Sequence, residues 1–257
     1  MIKIDTPELD YLVFEKLNRE PNLRHAVTLR RPEPTERTIK KTARILGLDH
    51  NSVIKPQQIH SDKIAVLRKP GENIGPVDGA CTTIKNVPLA LVGADCPLII
   101  AYDPENHALG LAHAGWRGTS RKIAIKLLRK MKTEFNCDTR QMIAGIGPGI
   151  CRHCYVVGPE VAEQFKNQFN DTEKYLCKIN PNNNAAANLQ NTLNDPAKPK
   201  WRLDLNQANQ TQLIRAGMPK KNIEISPYCT YEQKKWFYSY RRDGKKTGRI
   251  ALIAGLT

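Results

Sequence analysis

Two short apolar runs, Leu89 to Cys96 and Ala108 to His113, end on residues that can do chemistry. A thiol and an imidazole delivered from rigid strands can share a metal ion or a proton, and either use makes the chain an enzyme candidate. His60, in Gln57-Gln58-Ile59-His60-Ser61, offers a third side chain of ligand type from a third expected strand. Two imidazoles and one thiolate make a zinc set with its fourth position left for water, whose pKa such a site lowers to roughly 7. The separations of 36 and 17 residues are too wide for a local motif, so only a fold can bring the three together. The bland alternative is a buried cysteine and two ordinary histidines. Against it stand Asp95, an acid beside Cys96, and the glycine turn that follows His113.

Three further stretches carry candidate chemistry. In Ala112-His113-Ala114-Gly115-Trp116-Arg117-Gly118-Thr119, two glycines let the backbone turn tightly beside a ligand, and Arg117 offers a charged fork for phosphate or carboxylate. The alternative is a strand-to-helix turn with a packed tryptophan and a solvated arginine. Gly145 to Tyr155 contains Cys151-Arg152-His153-Cys154, but no second cysteine pair has structural-zinc spacing, so ordinary loop cysteines are the expectation, with Cys229 also structural. Tyr238 to Gly244 sets Arg241 and Arg242 beside tyrosines, which suits base stacking and phosphate, or an ordinary basic turn.

The elements that must position these residues follow from periodicity. Helices are expected over Glu36–Leu46, Thr119–Phe135, Pro159–Phe169 and Leu203–Ala216, the second capped by Thr119 or Ser120. Strands are expected over Val53–Ile59, Lys63–Leu67, Pro88–Val92, Pro97–Tyr102, Ala108–His113, Met142–Ile146, Ile223–Ile225 and Arg249–Leu256. Asp103-Pro104-Glu105-Asn106 joins two of them as a hairpin. The Asn-, Ala- and Pro-rich stretch at about 180–200 reads as a surface insertion. With strands on both sides of it, residues 1–257 form a single α+β domain with mixed β-sheets flanked by helices.

The chain has 257 residues, 40% of them hydrophobic, which allows a sizeable core. No apolar stretch has the length of a membrane span, and Met1-Ile2-Lys3-Ile4-Asp5 lacks the apolar region of a secretory signal, so a cytoplasmic location is expected. Seven cysteines, an odd number, read as thiols or metal ligands in a reducing compartment. A net charge of +15 attracts anions, but the lysines are scattered and do not interleave with aromatics, so nucleic acid is not favoured as a partner.

The ordered series Gln58-Ile59-His60, Asp78-Gly79-Ala80, Ala94-Asp95-Cys96-Pro97, His113-Ala114-Gly115-Trp116-Arg117-Gly118, Ile146-Gly147-Pro148 and Ser239-Tyr240-Arg241-Arg242-Asp243 resembles the YfiH-like laccase-domain family, from about Leu23 to Leu256. That family was first called multicopper polyphenol oxidase. Its members are now regarded as zinc-dependent purine nucleoside phosphorylases with adenosine deaminase and methylthioadenosine phosphorylase activities. The resemblance implies a YfiH-like, cytotoxic-necrotizing-factor-like fold, and a catalytic Zn²⁺ on His60, Cys96 and His113. It implies purine nucleosides and phosphate as partners. Asp95 is the candidate proton shuttle, or else the group that orients a ligand histidine. Arg117 and Arg241 are the candidate phosphate forks, with Arg242 in reserve. The chain departs from the family pattern in Val27–Pro32, which lacks a glycine-rich loop, in Gly149–His153, and in the length of the insertion.

Three other readings compete. A copper polyphenol oxidase would use the same three ligands, but a laccase also needs many histidines, and this chain has six: His25, His50, His60, His107, His113 and His153. A metal-free hydrolase would use Cys96 as nucleophile and His113 as base. A basic nucleic-acid-binding module is the reading outside enzymology.

Overall fold

Period-two alternation of apolar residues builds two large sheets that face one another across a shared core. The computed structural model describes residues 1–31, 35–180 and 199–257. From the N-terminus come β1 (Ile2–Ile4), β2 (Tyr11–Val13), β3 (Leu23–Thr28), α1 (Thr35–Ile45), β4 (Ile64–Val66), β5 (Gly79–Thr82) and β6 (Leu89–Gly93). Next are β7 (Leu98–Asp103), β8 (Ala108–His113), α2 (Trp116–Ser120), α3 (Ile123–Phe135), β9 (Ile143–Ile146), β10 (Val156–Val157) and α4 (Pro159–Gln168). The chain ends with β11 (Leu176–Lys178), β12 (Trp201–Leu203), α5 (Leu205–Arg215), β13 (Ile223–Ile225), α6 (Tyr240–Asp243) and β14 (Ile250–Leu256).

One sheet is antiparallel, in the order β1-β2-β3-β14-β6. The other is mixed, in the order β13-β9-β7-β8-β5-β4, with parallel pairs only at its two edges. A small sheet, β10-β12-β11, stands apart. This is the expected single-domain α+β architecture.

Side-chain size decides which face meets what. On β7, Leu98, Ile100 and Tyr102 fill the space between the sheets, while Ile99 and Ala101 face the helices. On β8, Leu109 and Leu111 point inward and Ala108 and Ala112 point to α3. Gly110 completes that flat strip: a Cβ there would lie 2.6 Å from Met131 Sδ and 2.9 Å from a Leu127 methyl, so α3 seats directly on β8. On the far side, Ile39 and Ala43 of α1 cover Ala90, Ala251 and Ile253. The layers are therefore helix, sheet, sheet, helix, and β8 lies in the second sheet with His113 at its end.

Two expectations fail locally. The single helix expected over Thr119–Phe135 is broken into α2 and α3, with Lys122 left-handed between them at φ 68°. Neither Thr119 nor Ser120 caps α3. The Thr119 hydroxyl instead donates to the Ala114 carbonyl and accepts from Asn209 of α5, a tertiary demand that outweighs helix periodicity. The strand expected over Val53–Ile59 is reduced to one bridge, Ile54 to Leu89. Pro56 cannot donate to a ladder. Gln58 makes the contact with its side chain, accepting from Val92 N–H and donating to Val92 carbonyl, both at 2.8 Å. His60 thus comes from a loop and not from a strand. Most of the insertion expected at about 180–200 lies outside the described residues.

His25 on β3 gives the fold a pH dependence. It is buried, stacks on Phe14, and its Nε2 accepts the Phe14 N–H at 2.9 Å. Burial lowers its pKa from 6.5 to about 4. A neutral group of this kind contributes stability that is complete above pH 6.5 and lost as pH falls through about 4. The loss is about 3 kcal/mol. In His25→Gln, which keeps an acceptor for Phe14, urea unfolding should show a flatter stability profile between those pH values. A variant profile as steep as the parent's would contradict the assignment.

Candidate active site

The site is built around a buried carboxylate, Asp78, at the start of β5. Its Oδ1 accepts the His60 N–H at 2.9 Å, and its Oδ2 accepts the N–H groups of Ile59 and Ser61 and the Ser61 hydroxyl. His113 Nδ1 donates to Oδ1 at 2.9 Å. Burial works against ionisation, but the hydrogen bonds from His113 and Ser61 hold the Asp78 carboxyl well below the usual carboxylate range. One side chain therefore fixes the loop that carries His60, at φ 57°, and the ring of His113.

With Nδ1 of His113 committed to Asp78, the ring's other nitrogen is left for Cys96. Cys96 sits between β6 and β7, in a turn where Asp95 is left-handed at φ 87°. A Cβ on Gly93 would lie 2.8 Å from the Cys96 carbonyl, and one on Gly115 would lie 2.9 Å from Cys96 Sγ and 3.6 Å from the His60 ring. Glycine at 115 is what lets the Trp116 turn close onto the sulfur. The imidazoles of His60 and His113 meet edge to face at 4.9 Å, and the ligand atoms of His60, Cys96 and His113 all lie within 4.8 Å of one another. Such a group could hold a metal ion.

The electrostatics are those of a paired thiolate. Burial pushes the Cys96 thiol up, but the charge of His113 and hydrogen bonds from His113 and His60 outweigh it and bring the group from 9.0 to about 6. Burial works to lower His113, yet the Cys96 thiolate and the Asp78 carboxylate lift it from 6.5 to about 9.

The other expected residues divide. Asp95 does not orient a ligand histidine; Asp78 does. The Asp95 carboxylate accepts the Thr230 hydroxyl on one oxygen and the Arg241 N–H on the other, each at 2.7 Å. Arg241 stacks over the Tyr155 ring at 5.0 Å and spends one nitrogen on the Val156 carbonyl, which leaves the rest of its fork uncommitted among the described contacts. Arg117 is exposed and lies over the Trp116 ring at 4.4 Å. The Arg242 guanidinium is occupied by the carbonyls of Thr230, Tyr231 and Phe237 and by the Asp243 carboxylate, so it holds a loop together and is not free for an anion. Tyr155, for which the sequence suggests no role, joins the site: burial and nearby Cys96 keep its phenol well above the ordinary range, while Arg241 and Arg117 pull it down. The sequence suggests no role for Asp78 either. Its signals there are a turn-type Asp78-Gly79 that runs on into an extended stretch of small residues and its place in the Asp78-Gly79-Ala80 motif.

Residues 20–257 match the family described as multi-copper polyphenol oxidoreductase laccase. The chain belongs to this family. Among its relatives, it is 33% identical over 223 residues to the purine nucleoside phosphorylase YlmD of Bacillus subtilis (strain 168), covering 83% of this chain and 74% of that protein. It is 30% identical over 214 residues to the adenosine deaminase RL5 of an unknown prokaryotic organism, covering 79% of this chain and 75% of the relative. Its structure superposes on the Bacillus licheniformis hypothetical protein YfiH with a TM-score of 0.83 at 27% identity, covering 96% of each chain. YlmD from Geobacillus stearothermophilus gives a TM-score of 0.78 at 26% identity over 92% of this chain and 93% of that one. The YfiH-like resemblance read from the motifs is thus the family relationship found.

In this laccase-family protein, metal-stripped, peptide-resolved alkylation of Cys96 should be half-maximal near pH 6. His113→Ala should move the midpoint toward the ordinary thiol value of 9.0. A parent profile already centred near that value would contradict the ion pair.

Proposed function

We propose that this chain is a zinc-dependent purine nucleoside phosphorylase that also deaminates adenosine and cleaves methylthioadenosine. The observation that carries the reading is the Asp78-locked set of His60, Cys96 and His113 beside Arg241 and Tyr155, in a chain at least 30% identical to relatives named purine nucleoside phosphorylase and adenosine deaminase. The donor set suits zinc: two imidazoles and a thiol already held near neutral pH as a thiolate are borderline-soft ligands that leave an open position. When bound, the metal supplies Lewis acidity and an activated water.

The chain's own residues do the rest. Asp78 holds the His113 tautomer and aims its free nitrogen. Arg241 and Arg117 bind phosphate, Arg241 through the part of its fork not spent on Val156. Trp116 and Tyr155 present aromatic faces on which those guanidiniums rest. Tyr155 stays a neutral phenol and can donate to substrate. Asp95, with both oxygens accepting, serves as the anchor between the Cys96 turn and α6, in place of the proton shuttle that its position beside Cys96 suggested.

A copper polyphenol oxidase is the weaker alternative. His25 is locked in the core, and His50, His107 and His153 lie outside the triad, so the histidine cluster of a multicopper centre is not assembled among the described residues. The metal-free hydrolase, with Cys96 as nucleophile and His113 as base, has one observation in its favour, the opposed pKa shifts of that pair.

Purified protein should release adenine from adenosine and hypoxanthine from inosine in a phosphate-dependent way. Cys96→Ala should abolish both that reaction and deamination, and full turnover in this variant would sink the metal reading. Asp78→Asn should weaken metal binding about 10- to 100-fold in a chelator competition. Arg241→Ala should raise the KM for phosphate at least about tenfold, the size of one lost charge-assisted hydrogen bond; an unchanged KM would remove Arg241 from the phosphate site.

A further inference from the structure

A second group of ligand-type side chains lies apart from the triad. Cys151, Cys154, Cys229 and Glu232 offer three sulfurs and a carboxylate oxygen, all within 4.8 Å of one another. The sequence shows only one cysteine pair of metal spacing. The fold supplies its partner, because Cys229-Thr230-Tyr231-Glu232 repeats the two-residue gap with glutamate in place of the second thiol. We propose that these four residues form a structural zinc site, independent of the chemistry assigned to His60, Cys96 and His113.

Four observations carry the proposal. The distances fit: Zn–S of about 2.3 Å and Zn–O of about 2.0 Å at a tetrahedral angle set sulfur and oxygen about 3.5 Å apart. The Glu232 carboxylate lies 3.3 Å from Cys154 Sγ and 3.6 Å from Cys151 Sγ. The backbone has the form of two facing turns. Cys154 and Tyr155 N–H both return to the Cys151 carbonyl, and Gln233 N–H returns to the Cys229 carbonyl. The outer contacts suit thiolate ligands, since the Cys151 N–H donates to Cys229 Sγ at 3.3 Å. Finally, the apolar cluster between the two segments is small and thiol-rich: its buried members are Ile150, Cys154 and Cys229, with Cys151, Tyr155 and Tyr231 partly buried against it. Exposed Glu232 gives an ion access from solvent.

The staple would matter beyond its own loops. Thr230, next to Cys229, donates to the Asp95 carboxylate, and Ile150 N–H donates to the Asp95 carbonyl at 2.9 Å. Tyr155, next to Cys154, carries Arg241 on its ring. A metal joining residues 151–154 to 229–232 therefore holds three of the contacts that frame the Cys96 turn.

Elemental analysis of the full-length protein and its variants, after removal of weakly bound metal, tests this directly. The Cys96→Ala protein should keep one zinc ion per chain, and Cys96→Ala combined with Cys229→Ser should keep none. Cobalt-loaded Cys96→Ala should show sulfur-to-cobalt charge-transfer absorption that Cys229→Ser removes. Because Cys229→Ser could unfold the chain, Glu232→Cys serves as the second variant: completing a four-thiolate set, it should retain the zinc and resist chelator longer. Cys96→Ala protein with no zinc, or with the mass deficit and blocked alkylation of a disulfide among Cys151, Cys154 and Cys229, would overturn the proposal. Neither result would bear on the triad, whose metal is read from the difference between the parent and Cys96→Ala.

Discussion

The buried Asp78 carboxylate is the interaction on which the site depends. Five donors converge on its two oxygens, three from consecutive backbone amides at Ile59, His60 and Ser61. Burying a carboxylate costs several kcal/mol unless it is fully hydrogen-bonded, so this one cannot lose a donor cheaply. The same bonds that compensate its burial place both histidines. Pairing of Gly79 with Ala112 brings Asp78 beside His113, so the sheet register and the imidazole position are one constraint. A slip of one residue between β5 and β8 would turn the side chains to the other face and separate the pair.

Two left-handed residues hold the loops of the site. His60 and Asp95 both have positive φ, and both sit in loops that converge on Cys96. Such conformations cost on the order of 1 kcal/mol each and persist only where surrounding contacts overdetermine them. Here those contacts are identifiable: the Asp78 carboxylate for His60, and Thr230, Ile150 and the Arg241 N–H for Asp95. Rigidity comes from below, from β7 and β8 clamped between the inter-sheet core and α3. Gly115 completes the approach by removing the one side-chain carbon that would collide with the sulfur.

Much of this arrangement is legible in the sequence. Strands β6, β7, β8, β9, β13 and β14 follow from short apolar runs, and Cys96 and His113 stand out because each follows such a run. The features that stay hidden depend on tertiary partners. Asp78 looks like a turn residue until β5 pairs with β8. Gln58 looks like part of a strand, whereas its amide substitutes for the ladder that Pro56 interrupts. Thr119 looks like a helix cap until α5 claims its hydroxyl. Arg242 looks like an anion fork until three carbonyls occupy it. The second ligand cluster is hidden for a simpler reason: its second half begins with cysteine but ends in glutamate, so it does not have the form of a cysteine pair.

His60 is the residue that separates the two chemistries open to Cys96. A thiolate nucleophile needs one imidazole, and His113 with Asp78 behind it already completes that relay. The relay does not require a second imidazole 4.9 Å from the first. Yet the Asp78 carboxylate spends part of its hydrogen-bonding capacity on the backbone of His60 and its neighbours, holding that ring at the sulfur in a strained conformation. The arrangement makes physical sense when three lone pairs must converge on one cation. A divalent metal would then replace the proton shared by Cys96 and His113 and satisfy the thiolate in its half-buried setting. Charge balance follows as well, because the Asp78 carboxylate and the Cys96 thiolate together neutralise a dication, whereas the His113 imidazolium offsets only one of the two.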